Sequence, residues 1–152
     1  MPTLRYQIAM EAAYRDLSDG NRRWEVTVSP RRSMARTSRF NLDLGASAYV
    51  LATTNDLSNG YYDPRRYEQY ALVASPYFKI HEDVGLGVSL AAGAQREGAR
   101  EFRFGGTVGS EATFGIYQPW VLKVAGSATL NRRLESGAYR GIGGTVVLVR
   151  RF

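Results

Sequence analysis

From Leu4 onward the chain changes character at every residue. Leu4, Tyr6, Ile8, Met10, Ala12 and Tyr14 alternate with Arg5, Gln7, Ala9, Glu11, Ala13 and Arg15. Successive side chains on a β-strand point to opposite faces, so a period of two gives each set a face of its own. The same pattern returns in Arg23–Arg31 and Arg39–Val50, and in runs near 67–80, 84–95, 101–117, 119–132 and 139–152. Turn signals separate the runs: Ser18-Asp19-Gly20-Asn21, His81-Glu82-Asp83, Glu97-Gly98-Ala99, Gln118-Pro119 and Glu135-Ser136-Gly137. Helical windows are interrupted by Gly and β-branched residues throughout. The expectation is one all-β domain over 1–152, an antiparallel up-and-down sheet of about eight strands.

The two faces differ in a way that constrains their surroundings. With the first strand taken as rising, the aromatics of the apolar face fall at strand ends. Tyr14, Trp24, Tyr70, Phe102 and Phe104 lie at one level, and Tyr6, Phe40, Phe78, Phe114, Trp120 and Phe152 at the other. Between them sit Val26, Val28, Leu42, Leu44, Ala46, Leu72, Val88, Leu90, Val124, Val146 and Leu148. An aliphatic band between aromatic girdles is the lipid-facing pattern of a transmembrane β-barrel. The opposite face carries Arg5, Glu11, Arg15, Glu25, Arg39, Asp43, Arg103, Glu111 and Lys123, the expected lumen residues, together with Arg23, Lys79, Gly85, Gly87, Ser89 and Gly93. A soluble up-and-down barrel is the competing architecture, with its aliphatic face lining a ligand cavity. The girdles favour the membrane. Pro76 and Ser110 sit awkwardly in the lipid-facing phase, and Pro76 is expected to mark a bulge or a weakly paired position. Arg150 falls on the same face, near enough to a strand end to reach the interface.

Composition removes several function classes. The 152 residues contain no Cys and a single His, His81, so thiolate chemistry, disulfides and His-rich metal sites are not expected. His81 lies in an acidic turn, and Ser75 and Ser89 nearby complete no nucleophilic triad, so catalysis is not expected either. The glycines of Gly141-Ile142-Gly143-Gly144 sit in a strand pattern rather than a phosphate loop, and no cofactor is expected. The net charge of +6 suits anionic partners. With no nucleic-acid motif in the chain, lipid headgroups are the expected ones. No run is long and apolar enough for a membrane helix, and MPTLRYQIAM has no apolar core of a signal peptide.

Two stretches carry family resemblances. GIGGTVVLVRRF, an alternating strand ending in Phe152, resembles the assembly signal of bacterial outer-membrane proteins. That resemblance implies a Gram-negative outer-membrane location and recognition by the barrel assembly machinery. NGYYDPRRY, with Gly60, Tyr61, Tyr62, Pro64 and Tyr67 ahead of an alternating strand, resembles the barrel of bacterial exopolysaccharide secretion porins, above all the cellulose synthase operon protein C. It implies an export pore for cellulose or a related exopolysaccharide, with about sixteen strands preceded by a helical-repeat region.

Two architectures follow. This chain is half of such a barrel, or it is a small barrel closed on itself, acting as a membrane anchor or adhesion scaffold. Eight strands closed alone leave an interior that side chains fill, and the lumen ions would then form a connected network. In half of a wide pore they would face water. The long connection near 52–66 is expected to be extracellular. There Tyr61, Tyr62, Arg65, Arg66 and Tyr67 form a candidate binding cluster for sugar rings or the anionic groups of lipopolysaccharide. Outer-membrane lipid, lipopolysaccharide and an exopolysaccharide chain are the expected partners.

Overall fold

The computed structural model describes residues 5–55, 64–133 and 137–151. It contains β1 (Tyr6–Asp16), β2 (Arg22–Arg36), β3 (Phe40–Thr53), β4 (Tyr67–His81), β5 (Val84–Glu97), β6 (Arg103–Phe114), β7 (Trp120–Arg133) and β8 (Gly137–Arg150). They form one eight-stranded sheet in sequence order, each strand antiparallel to the next. This is the all-β, up-and-down order that the alternation predicts. The sheet is open: β1 and β8 are its two edges and do not pair with each other. Strands of 11 to 15 residues exceed the roughly 9–11 that a tilted strand needs to cross a bilayer.

Two prolines leave their mark on the ladder, because Pro has no N–H to donate. The β2–β3 register passes from Val28↔Ala48 to Arg31↔Gly45, skipping Pro30. The β4–β5 register passes from Ala74↔Leu90 to Tyr77↔Gly87, skipping Pro76. Pro76 is thus a weakly paired position rather than a bulge; the β4–β5 irregularity falls at Lys79/His81. β2 runs to Arg36, past the Arg31 that alternation marks. Ser33-Met34-Ala35 breaks the period of two, and a bulge there takes up the extra residue.

Away from the irregularities at Ser33/Ala35 and Lys79/His81, pairing carries the two faces across the sheet. Leu90 lies between Ala74 and Val108, and Tyr70 between Ala48 and Ala94, all on the apolar face. Among the described residues nothing covers that face. Among the described residues only Leu51, Ala52 and Val121 are buried hydrophobics, while Ile8, Met10, Leu72, Phe104, Ile142 and Val146 lie exposed. The girdle residues meet across strands. The Phe40 and Phe78 rings are 5.1 Å apart at one level, and Tyr70 and Phe102 are 6.1 Å apart at the other. The Arg150 guanidinium lies 5.4 Å from the Trp120 ring centre, where the sequence places an interfacial arginine.

Candidate functional site

The polar face is built in three tiers. At the end of the sheet nearest the long connection, Arg23 and Glu25 form an ion pair at 2.8 Å. The Tyr49 hydroxyl donates to Glu25 at 2.7 Å, and the Tyr67 hydroxyl donates to Gln95 at 2.7 Å. The two tyrosine rings meet edge to face, 6.0 Å apart. The middle tier is small and hydroxylic: Ser29 with Ser47 at 3.5 Å, Thr107 with Thr129 at 3.3 Å, and the Arg31 guanidinium donating to Ser75 at 3.2 Å. Gly45 lies opposite Arg31, and a Cβ there would crowd the Arg31 side chain. A third tier pairs Arg36 with Asp43 at 2.9 Å and Lys123 with Glu111 at 3.4 Å.

A shallow hollow of about 500 Å³ runs across five strands of this face, lined by Ser75, Tyr77, Gly87, Ser89, Glu111 and Ser127 among others. Its shape depends on glycine. Tyr77 lies opposite Gly87, and its ring occupies the space a side chain at Gly85 would need. The aromatic thus lies down on a neighbouring strand instead of standing into the opening. Hydroxyls, a flat phenol and flanking charges can exchange hydrogen bonds with a polyol and stack on its apolar faces.

All nine expected lumen residues fall on this one face or at its strand ends. Glu11 lies opposite Thr27, Arg15 opposite Arg23, Arg103 opposite Gln95, and Asp43 between Ser33 and Ser75. Arg5 and Arg39 flank β1 and β3, their carbonyls accepting from Ser33 and Lys79. Among the described residues the connected ion network that a closed eight-strand interior requires is not present. Arg5, Glu11, Arg15, Arg39 and Arg103 have no ion-pair partner among the described residues. The Glu111 and Lys123 side chains remain 49% and 45% exposed. An open sheet has no opposite wall to pack against, so these ions face solvent.

Of the expected loop cluster, only Arg65, Arg66 and Tyr67 fall among the described residues. Tyr61 and Tyr62 lie outside the described residues, as does Phe152. Arg65 is exposed. Tyr67 is the first residue of β4 and points to the polar face, against Tyr49 and Gln95. Arg66 turns to the opposite face and pairs with Glu68.

Glu68 and Arg96 are what the sequence reading missed. Glu68 is 1% exposed and lies opposite Arg96, which donates through Nε to its carboxylate at 2.6 Å. The available signal was two charges out of phase on successive strands: Glu68 and Arg96 both fall in the apolar register. Asn21 was missed as well. Fully buried, it ties the β1–β2 turn to the long connection. Its amide donates to the Asn55 carbonyl at 2.8 Å, and its side-chain oxygen accepts from the Asn55 and Arg22 amides, each at 3.0 Å.

No protein-family model matches the chain, and no curated protein matches it in sequence. The fold does have a counterpart. A solved "bacterial polysaccharide outer membrane secretin" superposes on all of this chain with a TM-score of 0.86 at 15% identity. The match covers 53% of that protein, so the chain spans about half its length.

Proposed function

We propose that this chain forms part of the wall of an outer-membrane pore that exports a bacterial polysaccharide, cellulose or a related exopolysaccharide. The observation that carries this reading is the bare apolar face. A water-soluble domain rarely leaves a contiguous apolar patch of more than a few hundred Å² uncovered. Here one face of an eight-stranded sheet is predominantly apolar, with Ile8, Met10, Leu72, Phe104, Ile142 and Val146 exposed on it and aromatics at both ends. Lipid is the environment in which such a face is stable. The polar face then lines water, and its hydroxyl tier suits a sugar polymer.

The open edges bear on pore size. An up-and-down sheet spans a bilayer only when closed, since an edge strand in hydrocarbon leaves its N–H and C=O groups unsatisfied. A self-contained anchor would need β1 paired with β8, and that pairing is absent. Further strands completing a wider barrel satisfy both edges and leave room for a polymer. The fold likeness to half of a polysaccharide secretin supports this geometry.

Export through such a wall needs weak, repeated contacts rather than one tight site, because conduction requires release as well as entry. Serine and threonine hydroxyls exchange hydrogen bonds with sugar hydroxyls and water at little net cost. Tyr49, Tyr67 and Tyr77 offer ring faces. The role is non-catalytic. The barrel sits in the outer membrane, contacts lipopolysaccharide and outer-membrane lipid, and is inserted by the barrel assembly machinery, which reads the alternating sequence GIGGTVVLVRRF.

Deleting the coding segment in its native cell and measuring polysaccharide in the medium and in the periplasm tests the reading. The expected result is loss from the medium with retention in the periplasm. Unchanged secretion would overturn it.

A further inference from the structure

On the apolar face the aliphatic band is hollowed out at a place where charge stands directly above it. The hollow, about 680 Å³, extends from β2 to β6 and is centred on β4. Alanines line it on both sides of β4: Ala46 and Ala48 from β3, Ala92 and Ala94 from β5. Tyr70, Leu72 and Phe104 are its larger walls. Register fixes this arrangement, with Leu72 between Ala46 and Ala92 and Tyr70 between Ala48 and Ala94.

The next apolar-phase positions toward the long connection are Glu68 on β4 and Arg96 on β5. Each is one strand repeat, about 6.6 Å, beyond the hollow's lining at Tyr70 and Ala94. Glu68 bridges Arg96 and Arg66. The Arg96 guanidinium also lies 4.6 Å from the Phe102 ring centre, which holds its plane. Because Arg96 reaches Glu68 through Nε, its Nη groups remain available. Arg66 is 62% exposed at the guanidinium end of the same cluster. Two guanidiniums and one carboxylate leave a net charge of +1 beside an apolar slot.

We infer that this is a lipid site: Arg66 and Arg96 hold a phosphate, and an acyl chain of the same molecule lies in the alanine-lined hollow. The charge left on the triad matches a phosphate monoanion, and arginine forks suit phosphate oxygens. The inference rests on the outer-membrane reading above, which puts the long-connection end of the sheet in the outer leaflet. The occupant there is lipid A of lipopolysaccharide, a phosphorylated and multiply acylated glycolipid. Glu68 acts as the positioning residue. Without it, two like charges would stand side by side at the edge of an apolar surface.

The test uses the closed barrel that contains this chain, held in detergent micelles, with purified lipid A and phosphatidylglycerol as probes. Retention is read by native mass spectrometry and affinity by titration. Lipid A is expected to remain bound at one per chain, at least roughly tenfold tighter than phosphatidylglycerol. Arg66→Gln with Arg96→Gln should weaken lipid A binding roughly tenfold or more. Ala92→Phe, which fills the hollow and leaves the triad in place, should weaken it independently. Equal affinity for the two lipids, or binding unchanged in both variants, would overturn the site. Incorporation of the same samples into liposomes separates the two claims. Incorporation without lipid A selectivity defeats the lipid site alone, and failure to incorporate defeats the membrane reading and the site with it.

Discussion

Leu90→Arg puts the membrane account at risk where its magnitude is largest. Leu90 is opposite Ala74 on the apolar face. Ala74 lies on β4 midway between the girdle residues Tyr70 and Phe78, four residues from each, so Leu90 marks the middle of the band. Its flanking partners are Ala74 and Val108, so the larger side chain displaces little protein. A cation on the lipid face at mid-bilayer costs roughly 2–4 kcal/mol. The same change on a water-exposed surface falls within about 0.5 kcal/mol of zero. Thr107→Arg is the control, at a similar level on β6 but exposed on the polar face between Ala91 and Thr129. Urea unfolding of the closed barrel containing this chain, in phospholipid vesicles and followed by tryptophan fluorescence, gives both values. The expected result is a loss of roughly 2–4 kcal/mol for Leu90→Arg and about 0–0.5 kcal/mol for Thr107→Arg. Equal losses would refute the assignment of faces to lipid and water.

Three further outcomes follow from the polar face and the rim. Glu111→Ala removes an exposed ion pair and should cost about 0–1 kcal/mol in the same unfolding assay; a loss of roughly 3–5 kcal/mol would signal a packed, closed interior instead. Asn21→Ala strands the Asn55 and Arg22 amides and should cost about 1–3 kcal/mol. Hydrogen exchange should quicken at those two amides first, and unchanged protection there would contradict the bridging role. Gly85→Ala drives the Tyr77 ring off its neighbouring strand and should cost about 1–3 kcal/mol. In a double-mutant cycle Tyr77→Ala should abolish most of that cost, whereas additive losses would deny the contact.

Much of the fold was legible because both of its causes act locally. The period of two fixes the strand and its faces, and segregated surroundings fix which residues each face carries. The polar-face positions Arg5 to Lys123 therefore fall where alternation puts them. Closure was not legible: whether β1 meets β8 depends on strands far apart in sequence, and the period is identical in an open and a closed sheet. Nor was the far end of β2, where Ser33-Met34-Ala35 loses the alternation and only cross-strand pairing keeps the strand going. The candidate site was read in part. Alternation placed Ser75, Ser89 and the glycines on the polar face, but the ring of Tyr77 lying over Gly85 is a cross-strand contact that no linear pattern announces. The loop residues look like one cluster in the sequence. Arg66 and Tyr67 are nevertheless adjacent positions entering a strand, and pleating sends them to opposite faces. Glu68 and Arg96 each look like an isolated error of phase until register sets them side by side.

The central claim is that the apolar face lies against hydrocarbon, with its aromatic ends at the two interfaces. The chain has two tryptophans, Trp24 and Trp120, at opposite girdles and both exposed on that face. Fluorescence quenching by phospholipids brominated at defined acyl positions measures their contact with lipid directly, one tryptophan at a time in Trp24→Phe and Trp120→Phe variants. Each tryptophan should be quenched, most strongly by bromine nearest the headgroup and less by bromine near the bilayer centre. A folded chain whose tryptophans are untouched by brominated lipid at every depth, but open to aqueous iodide, would contradict the account.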